Sequence, residues 1–227
     1  MTKPQSLADF NCVVTGARGA TGSAIKDYLL EQGATVIGTR RGLPGPLEAV
    51  GEHEWSVQVN MSDRSAVENA VAQILSTVSP VQAWINVAGG FRTGISVADL
   101  QHSHLHEMMQ MNFFTALNGC AAIVRHFQSQ SFGRLINFGS AAVDTGMAYS
   151  LPYVMSKAAV TELTLTLAQE LRGDVTCNII IPSVIDTPAN REAMPDADFS
   201  TWTSPQKIAE TVGTILLGSM NGEKLYV

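Results

Sequence analysis

The chain has 227 residues, of which 45% are hydrophobic and 15% charged, a balance typical of a globular protein with a large core rather than of a disordered one. Lysine and arginine number 14 against 20 acidic residues, and the net charge of −6 argues against a general nucleic-acid or membrane-surface binder. The three scattered cysteines are expected to be reduced thiols, and no signal-peptide core or bilayer-spanning apolar run is found, so we expect a cytoplasmic protein.

The first half of the chain alternates short apolar runs with helical patterns. Strands are predicted at residues 10–15, 34–39, 54–60 and 81–90, the last including its turn. A helix is predicted from about Gly22 to Glu31, after a glycine-rich turn. Ser62 is expected to cap a second helix that runs to about Val78, because apolar residues recur there at helical spacing.

The second half continues this alternation. Strands are predicted at residues 133–139, 175–182 and 223–227. A long helical stretch is predicted over about 97–128, and the sequence leaves open whether it is interrupted near Asn112. Two more helices are predicted, from Tyr153 to about Leu171 and from Ser204-Pro205 to about Leu217.

Strand–helix alternation without repeats or a linker predicts one domain over residues 1–227. The expected fold is α/β, a doubly wound, Rossmann-like parallel sheet of about seven strands with helices on both faces. Ligands of such sheets bind beyond the carboxyl ends of the strands, near the switch in strand order. The loops after the first, fourth, fifth and sixth strands are therefore the candidate binding loops.

The turn after the first strand reads TGARGATG, with Gly16, Gly19 and Gly22 spaced three apart. Glycines let the backbone turn tightly and approach a pyrophosphate, whose charge is stabilised by the N-terminus of the following helix. An ordinary strand–helix turn is the alternative, but the position between a strand and a helix favours a nucleotide site. Its predicted residues are Gly16, Arg18, Gly19, Ala20 and Thr21.

The second strand ends in TRRG, which places Arg40 and Arg41 where an NAD-preferring site usually has an acidic residue for the ribose hydroxyl. Arg18 lies in the glycine loop itself. Three guanidinium groups near one ribose would suit a 2′-phosphate through bidentate hydrogen bonds. NADP(H) is therefore predicted over NAD(H), and the alternative is a set of solvated surface arginines.

The stretch LPYVMSKAAV puts Tyr153 and Lys157 four positions apart at the start of a helix. Such a pair can be a simple surface contact one helical turn apart. A neighbouring ammonium can also favour phenolate, which lowers the pKa of the phenol and makes proton transfer feasible near neutral pH. The pair alone does not decide between these two interpretations.

Six motifs together decide it, because their order and approximate spacing resemble the short-chain dehydrogenase/reductase family over nearly the whole chain. They are the glycine loop, NVAG at 86–89, Asn112, Ser140, the Tyr153–Lys157 pair and IPSVIDTP at 181–188. The resemblance implies that the pair is catalytic. It also implies an oxidoreductase that interconverts a carbonyl and an alcohol with a nicotinamide cofactor.

The resemblance assigns a role to each catalytic candidate. Tyr153 would exchange a proton with the substrate oxygen as hydride is transferred, and Lys157 would lower the pKa of the phenol and bind the nicotinamide ribose. Ser140 would hold and polarise the carbonyl oxygen. Asn112 would anchor a water that links Lys157 to solvent, although a polar residue on a helix face remains the alternative.

The resemblance also extends the cofactor site along the later loops. Asn60 and Met61 would border the adenine, and the turn beside the adenosine and ribose would be shaped by Asn86, Ala88 and Gly89. The segment after the sixth strand would bind the carboxamide and orient the ring, through Pro182, Ser183, Val184, Ile185 and Thr187. Ala20 and Ser183 stand where the family more often has glycine, and we expect a bound dinucleotide with slightly altered geometry.

Three functions follow from these residues. The leading one is an NADP-dependent carbonyl reductase acting on a small, hydrophobic or aromatic substrate, since the expected pocket lining is mostly apolar. Residues 87–91 and 186–203 are similar to the dihydropteridine reductase members of the family, so pterin reduction is the second. The third is a non-catalytic dinucleotide-binding regulator, against which the complete Asn-Ser-Tyr-Lys set argues.

The helix after Tyr153 is apolar at more positions than one sheet contact needs, which predicts a subunit interface in a homodimer or homotetramer. Arg92 could receive a substrate carboxylate or phosphate, or could face solvent. His102, His104 and His106 alternate on one helical stretch, but no third ligand is evident near the 102/106 pair, so no metal site is predicted.

Overall fold

The structure, a computed structural model, describes residues 4–227. Its centre is one eight-stranded sheet in the order β3-β4-β2-β1-β5-β6-β7-β8, in which every pairing except β3–β4 is parallel. The strands are β1 (Asn11–Val14), β2 (Thr35–Arg40), β3 (Leu47–Ala49), β4 (Glu54–Gln58), β5 (Ala83–Asn86), β6 (Phe132–Phe138), β7 (Asp174–Ile181) and β8 (Lys224–Tyr226). The predicted doubly wound α/β fold is confirmed.

The number of strands differs from the expected seven because of β3. This short strand pairs antiparallel with β4, with Leu47 opposite Val57 and Ala49 opposite Trp55. Only Leu47 is partly buried, and the other two residues are exposed, so β3 lacks the apolar alternation that predicts a strand. An antiparallel strand at the edge of a parallel sheet is common in doubly wound folds.

Helices cover both faces of the sheet because each strand alternates its side chains between them. Val13 of β1 packs in a core with α2, α4 and α6, whereas its neighbours Cys12 and Val14 pack in a second core with α1 and α8. No helix in residues 4–227 has the length and apolar character needed to cross a membrane. The helices are α1 (Ala20–Glu31), α2 (Arg64–Thr77), α3 (His102–Met108), α4 (Thr115–Gln130), α5 (Ala142–Thr145), α6 (Leu151–Glu170), α7 (Pro188–Ala193) and α8 (Pro205–Leu217).

The predicted cap of α2 is wrong, and the predicted start of α8 is confirmed. Asp63, not Ser62, caps α2, because its carboxylate accepts a 3.1 Å hydrogen bond from the backbone N–H of Ala66. Aspartate and serine are comparably good caps, so their adjacent positions could not be ranked from sequence. The helix α8 begins at Pro205 as predicted, and Ser204 caps it by accepting from the N–H of Lys207 at 3.1 Å.

The predicted long helix is interrupted near Asn112. A 3₁₀ turn at Val97–Asp99 precedes α3, and a π-helical segment, Met109–Phe114, joins α3 to α4. Such π segments occur mostly as single-turn bulges and are frequent at functional sites. Asn112 lies in this segment and is buried.

At the amino-terminal edge of the sheet, Arg134 of β6 is fully buried. Its guanidinium donates to the backbone carbonyls of Leu216 (3.3 Å) and Gly218 (3.1 Å) and to the carboxylate of Asp174 (3.1 Å). It also lies 4.3 Å from the ring centroid of Phe132. Arg134 therefore joins β6 and β7 to the carboxyl end of α8, at the edge opposite the predicted binding loops.

Candidate active site

The turns after β1 and β5 meet at the centre of the sheet, where the strand order reverses. A Cβ atom on Gly16 would lie 3.1 Å from the Cα of Ala88, so only glycine allows this approach. Gly16 also has a φ of +66°, in the left-handed region that favours glycine. The N–H of Ala88 donates to the hydroxyl oxygen of Thr15 at 3.0 Å, which fixes the two turns together. This is where ligands of doubly wound sheets bind.

The other two glycines of the loop differ in how strictly they are required. A Cβ on Gly22 would lie 2.3 Å from the carbonyl oxygen of Gly16, whereas one on Gly19 would meet nothing nearer than 3.4 Å. Gly19 is the residue before α1, which begins at Ala20, two residues earlier than predicted. In the first turn of α1, Ala20 is exposed and Thr21 is half-buried. The first backbone N–H groups of a helix have no partner within it, as an anion site needs.

The three arginines expected near the ribose are not equivalent. The guanidinium of Arg40 donates from Nη2 to the carboxylate of Glu48 on β3 at 3.1 Å. Its other nitrogens donate to the side chains of Ser56 (3.3 Å) and Gln58 on β4. Arg18 and Arg41 are exposed, and no ion pair among residues 4–227 involves either of them. Of the three arginines, Arg40 is thus already paired with a carboxylate, and within residues 4–227 Arg18 and Arg41 are not.

The adenine side of the predicted site is formed by the loop after β4. Asn60 is exposed and its side-chain oxygen accepts from the hydroxyl of Ser62 at 2.8 Å. Met61 is buried, and its carbonyl accepts from the side-chain amide of Asn118 at 3.0 Å. This loop is therefore held by its own hydrogen bonds and by α4.

Asn86 faces the interior rather than the turn. Its side-chain oxygen accepts from the indole N–H of Trp84 at 2.7 Å, and its amide donates to Asn137 at 2.8 Å. Asn137 in turn donates to the hydroxyl of Thr164 on α6 at 2.8 Å. Only the backbone of Asn86 is thus available to the cofactor turn, and its side chain ties β5 to β6 and α6. The sequence analysis missed Asn137, although a polar residue inside the apolar run GRLINFG was a signal for it.

All three cysteines are buried and unpaired. Burial raises the pKa of the Cys120 thiol to about 12, and it raises the pKa values of Cys12 and Cys177 as well. The three side chains are therefore neutral thiols at physiological pH.

Ser140 and Tyr153 meet at the carboxyl edge of the sheet. Ser140 follows the end of β6, and Tyr153 lies in the first turn of α6. Pro152 precedes Tyr153 in that turn, and its fixed φ angle suits the start of a helix. The Ser140 hydroxyl is near enough to the Tyr153 phenol to influence its pKa. Burial raises the pKa of Tyr153 above its ordinary value, and the influence of Ser140, which lowers this pKa, offsets only part of that rise.

Lys157 lies one helical turn beyond Tyr153 but its ammonium is directed elsewhere. Nζ donates a 2.9 Å hydrogen bond to the backbone carbonyl of Phe138. Burial lowers the pKa of Lys157 to about 8. The expected lowering of the Tyr153 pKa by Lys157 is therefore wrong for this structure, in which burial dominates the pKa of both groups.

Asn112 holds the turn after β5. Its side-chain oxygen accepts from the N–H of Gly90 at 2.8 Å, and its amide donates to the carbonyl of Gly90 at 3.0 Å and to the hydroxyl of Ser156 at 2.9 Å. A Cβ on Gly89 would lie 2.6 Å from that oxygen and 3.8 Å from Nζ of Lys157. Asn112 is thus no solvated helix residue: it joins the cofactor turn to α6.

The segment after β7 is held by backbone contacts. The carbonyl of Pro182 accepts from the N–H of Ala141 at 3.2 Å, and the hydroxyl of Ser183 lies 3.1 Å from that of Thr203. Thr203, which the sequence analysis did not identify, also donates its N–H to the carbonyl of Val184 at 2.9 Å and accepts from the N–H of Asp186 at 2.8 Å. These contacts place Ile185 beside Thr203 in an isolated β-bridge.

Residues 187–203, called the cover below, follow this segment and return to it at Thr203. Thr187 caps α7, and Asp186 pairs with Arg191 across its start. The Arg191 guanidinium lies 4.6 Å from the ring centroid of Phe199, which in turn lies 4.7 Å from that of Trp202. Most side chains of residues 187–203 are exposed, so the cover makes few buried contacts with the rest of the site.

Two further possibilities were a substrate contact at Arg92 and a metal site. Arg92 forms an ion pair with Glu107 of α3 at 2.6 Å, with both side chains largely exposed, so its guanidinium already has a carboxylate partner. No cluster of three or more His, Cys, Asp or Glu residues that could hold a metal is found in residues 4–227.

The whole arrangement matches a known family. A family model described as short chain dehydrogenase matches residues 11–198, which include the glycine loop, Ser140, Tyr153 and Lys157. The chain belongs to the short chain dehydrogenase family. As a short-chain dehydrogenase it is an NAD(P)-dependent oxidoreductase.

Relatives of this short-chain dehydrogenase include two bacterial enzymes named 3-oxoacyl-[acyl-carrier-protein] reductase FabG. The protein from Vibrio harveyi is 28% identical over 233 residues, covering 95% of this chain and 94% of its own. The protein from Haemophilus influenzae is 29% identical over 180 residues, covering 77% and 74%. Both alignments extend through most of the two chains.

Solved structures share the short-chain dehydrogenase fold. ElxO with NADP bound superposes with a TM-score of 0.87 at 18% identity, covering 96% of both chains. The aldohexose dehydrogenase of Thermoplasma acidophilum gives 0.85 at 22% identity, covering 97% and 93%. A gluconate 5-dehydrogenase from Burkholderia cenocepacia, in complex with NADP and tartrate, gives 0.84 at 20% identity, covering 96% and 93%.

Proposed function

We propose that this short-chain dehydrogenase is a cytoplasmic, NADPH-dependent reductase of a hydrophobic or aromatic carbonyl compound. The observation that carries the proposal is that Ser140 and the Tyr153 phenol come together at the carboxyl edge of the sheet, one helical turn from Lys157, whose ammonium is held there by the carbonyl of Phe138. A phenol, a hydroxyl and an ammonium so arranged can bind a carbonyl oxygen and protonate it.

The raised pKa of Tyr153 favours the reductive direction. A buried phenol stays protonated at neutral pH, and the protonated form is the one that can donate to an alkoxide oxygen. Ser140 would hold the carbonyl oxygen within reach of that proton. After the proton is donated, the Lys157 ammonium would stabilise the Tyr153 phenolate electrostatically. The carbonyl of Phe138 holds this ammonium at the same edge of the sheet.

The residues present fit a nicotinamide dinucleotide. The glycine cradle at Gly16 and the free N–H groups at the start of α1 would hold the pyrophosphate, and Gly89 leaves space beside Asn112 and Lys157. Asn60 and Met61 would border the adenine, and Pro182 to Thr187 the nicotinamide. Bound NADPH would supply the hydride. ElxO and the gluconate 5-dehydrogenase, which share this fold, are described with NADP.

NADP is proposed over NAD because of the charges at the end of β2. Arg41 is exposed there and Arg18 is exposed in the glycine loop, and the position that would carry an acidic residue for a 2′-hydroxyl is occupied by Arg40. Two free guanidinium groups can bind a 2′-phosphate by charge-assisted hydrogen bonds. Arg40, which Glu48 already holds, would contribute by its charge and by supporting Arg41.

The substrate class is inferred from the side chains at the mouth of the site. Large apolar side chains that are exposed there are Phe91, Met147, Tyr149 and Met194. They lie in the turn after β5, in the loop before α6 and in the 187–203 cover, and such a rim favours an apolar group next to the reacting carbonyl. The curated relatives, named as 3-oxoacyl reductases, make a 3-oxoacyl thioester a rational second probe.

The experiment is a cofactor titration followed by a substrate panel. NADPH and NADH are titrated into the protein while tryptophan quenching and nicotinamide emission are followed, and NADPH should bind at least tenfold more tightly, or about 1.4 kcal/mol. Aromatic aldehydes, 3-oxoacyl thioesters and a quinonoid dihydropterin are then tested with that cofactor. Tighter binding of NADH would contradict the arginine argument, and failure to bind either dinucleotide would overturn the proposed cofactor site. Binding of the cofactor with no turnover of any substrate would favour the regulator.

A homo-oligomer is proposed from α6. Its apolar residues surround the helix, and Met155 keeps 48% of its surface exposed although α6 also packs on the sheet. A second copy of the chain is the partner that fits a symmetric helix contact. Light scattering on the purified protein should give two or four times 24.2 kDa, and Met155→Glu should lower that mass.

A further inference from the structure

Phe91 is in contact with the proposed acid–base residue. Its ring centroid lies 4.8 Å from that of Tyr153, with the two ring planes at 88°. This perpendicular arrangement is one of the favourable geometries for an aromatic pair. Phe91 is also 48% exposed, so its outer side faces the mouth of the site while its inner side covers the phenol.

The backbone before Phe91 is fixed by Asn112. The side-chain amide of Asn112 bonds both the N–H and the carbonyl of Gly90, at 2.8 and 3.0 Å. Because both polar groups of Gly90 are bound by one buried side chain, the peptide that leads into Phe91 has little freedom. Asn112 therefore fixes the backbone position from which the Phe91 side chain extends.

The backbone after Phe91 is fixed to the segment that leads into α6. The hydroxyl of Thr93 lies 2.6 Å from that of Ser150, which is fully buried, and the N–H of Gly94 donates to the carbonyl of Tyr149 at 2.9 Å. Ser150 is the residue before α6, and Tyr153 lies in its first turn. The two rings are thus carried by segments that are bonded to each other on both sides of the contact.

We propose that Phe91 is a positioning residue for Tyr153: clamped through Gly90 by Asn112, its ring shields the phenol from water and holds the hydroxyl beside Ser140. The proposal rests on the function proposed above, in which Tyr153 is the proton donor. Its geometric basis is a ring contact that the backbone bonds of Asn112, Ser150 and Tyr149 maintain.

Removing the ring should change the phenol in a predictable direction. Burial is the main cause of the raised pKa of Tyr153, so Phe91→Ala, which lets water reach the phenol, should move phenolate formation to lower pH. Phe91→Leu keeps an apolar cover and should shift it less. The titratable groups on elements packed against this end of α6 are Arg92, His104, Glu107 and Asp144, in addition to Lys157, and none of them is changed by these substitutions.

The test measures phenolate directly by its ultraviolet absorbance during a pH titration. The Tyr153 signal is isolated by subtracting the titration of Tyr153→Phe, in the wild-type background and again in the Phe91→Ala background. We expect the midpoint to fall in Phe91→Ala, with kcat for reduction lower by about 3- to 10-fold and the KM for NADPH unchanged. Phe91→Gln, which brings a polar group to the same place, gives a second measurement with the same expected direction.

Phe10→Leu is the matched control. Phe10 and Phe132 form another tilted aromatic pair, 6.1 Å apart, at the opposite edge of the sheet. This variant should lower the free energy of unfolding and leave the phenolate midpoint in place. An unchanged midpoint and kcat in Phe91→Ala, or an equal midpoint shift in Phe10→Leu, would overturn the proposal. Full turnover in Tyr153→Phe alone would instead overturn the proposed function, because the phenolate titration does not depend on turnover.

Discussion

Lys157 donates its 2.9 Å hydrogen bond to a backbone carbonyl, that of Phe138, and not to a carboxylate. A neutral oxygen offsets little of the desolvation of a buried ammonium, and the pKa of Lys157 is accordingly lowered to about 8. The charge of this side chain is therefore lost within the pH range in which the enzyme can be assayed.

The first prediction concerns pH. Lys157 is charged below about pH 8 and neutral above it, so kcat/KM for NADPH in the reductive direction should fall as pH rises through about 8. That ratio reports the ionisation of groups in the free enzyme. Lys157→Arg keeps the charge at every accessible pH, so the residual kcat/KM of this variant should no longer fall through about pH 8. A wild-type profile that stays flat well beyond this pH would contradict the prediction.

The second prediction concerns the proton donor. Tyr153→Phe removes the proton and leaves the ring in contact with Phe91, so kcat should fall by roughly 10²- to 10⁴-fold with NADPH affinity nearly unchanged. Stopped-assay product formation and fluorescence titration measure the two effects. Tyr28→Phe is the matched control, because Tyr28 packs against Gly213 of α8, away from the binding loops. Equal turnover in both variants would favour the regulator.

The third prediction separates carbonyl reduction from pterin reduction. Ser140→Ala removes one hydrogen-bond donor to the carbonyl oxygen, and kcat for an aldehyde or ketone should fall by about 10²- to 10³-fold. Ser129→Ala, an exposed change on α4, should have no effect. If the variant reduces a dihydropterin as well as the wild type does, pterin reduction becomes the leading function.

The fourth prediction concerns cofactor choice. Arg41→Gln and Arg18→Gln each remove one charge-assisted contact worth about 1.5–3 kcal/mol, so each should weaken NADPH binding by roughly 10- to 150-fold and leave NADH binding nearly unchanged. Arg64→Gln is the control, since Arg64 is exposed on α2 and paired with Glu68. Equal losses for the two cofactors would contradict recognition of a 2′-phosphate.

The fifth prediction concerns stability. Arg134→Met removes the group that binds two carbonyls at the end of α8 and the Asp174 carboxylate, and should lower the free energy of unfolding by about 3 kcal/mol. Urea denaturation of the variant measures the loss, and Arg172→Met, an exposed change after α6, should lose far less. Cofactor affinity at low temperature should be retained, because Arg134 lies at the edge opposite the site.

Much of the fold could be predicted from sequence because buried parallel strands are nearly continuous apolar runs and their helices repeat at a fixed period. The strand β3 could not, since it has one half-buried side chain and is held mainly by its backbone pairing with β4. The choice of Asp63 over Ser62 as a cap depends on a backbone angle that adjacent capping residues do not encode.

For the site, residue types were predictable and partners were not. Arg40 has the right type and position, but the strand that supplies Glu48 is the one that the sequence does not reveal. The pKa of Tyr153 was expected to be lowered by the charge of Lys157 four residues away, whereas burial of the phenol raises it. The contact between Phe91 and Tyr153 joins residues far apart in the chain, and no local pattern predicts it.

The position of Arg134 has a consequence for how such an enzyme can change. A fully buried guanidinium joins two strands and a helix at one end of the sheet, and the loops proposed to contact cofactor and substrate leave from the other end. Replacement of the 187–203 cover, or of side chains at the mouth, therefore leaves this anchor untouched. Loops at the carboxyl end of the strands can therefore be exchanged to change substrate selectivity, while the contacts of Arg134 at the other end continue to stabilise the fold.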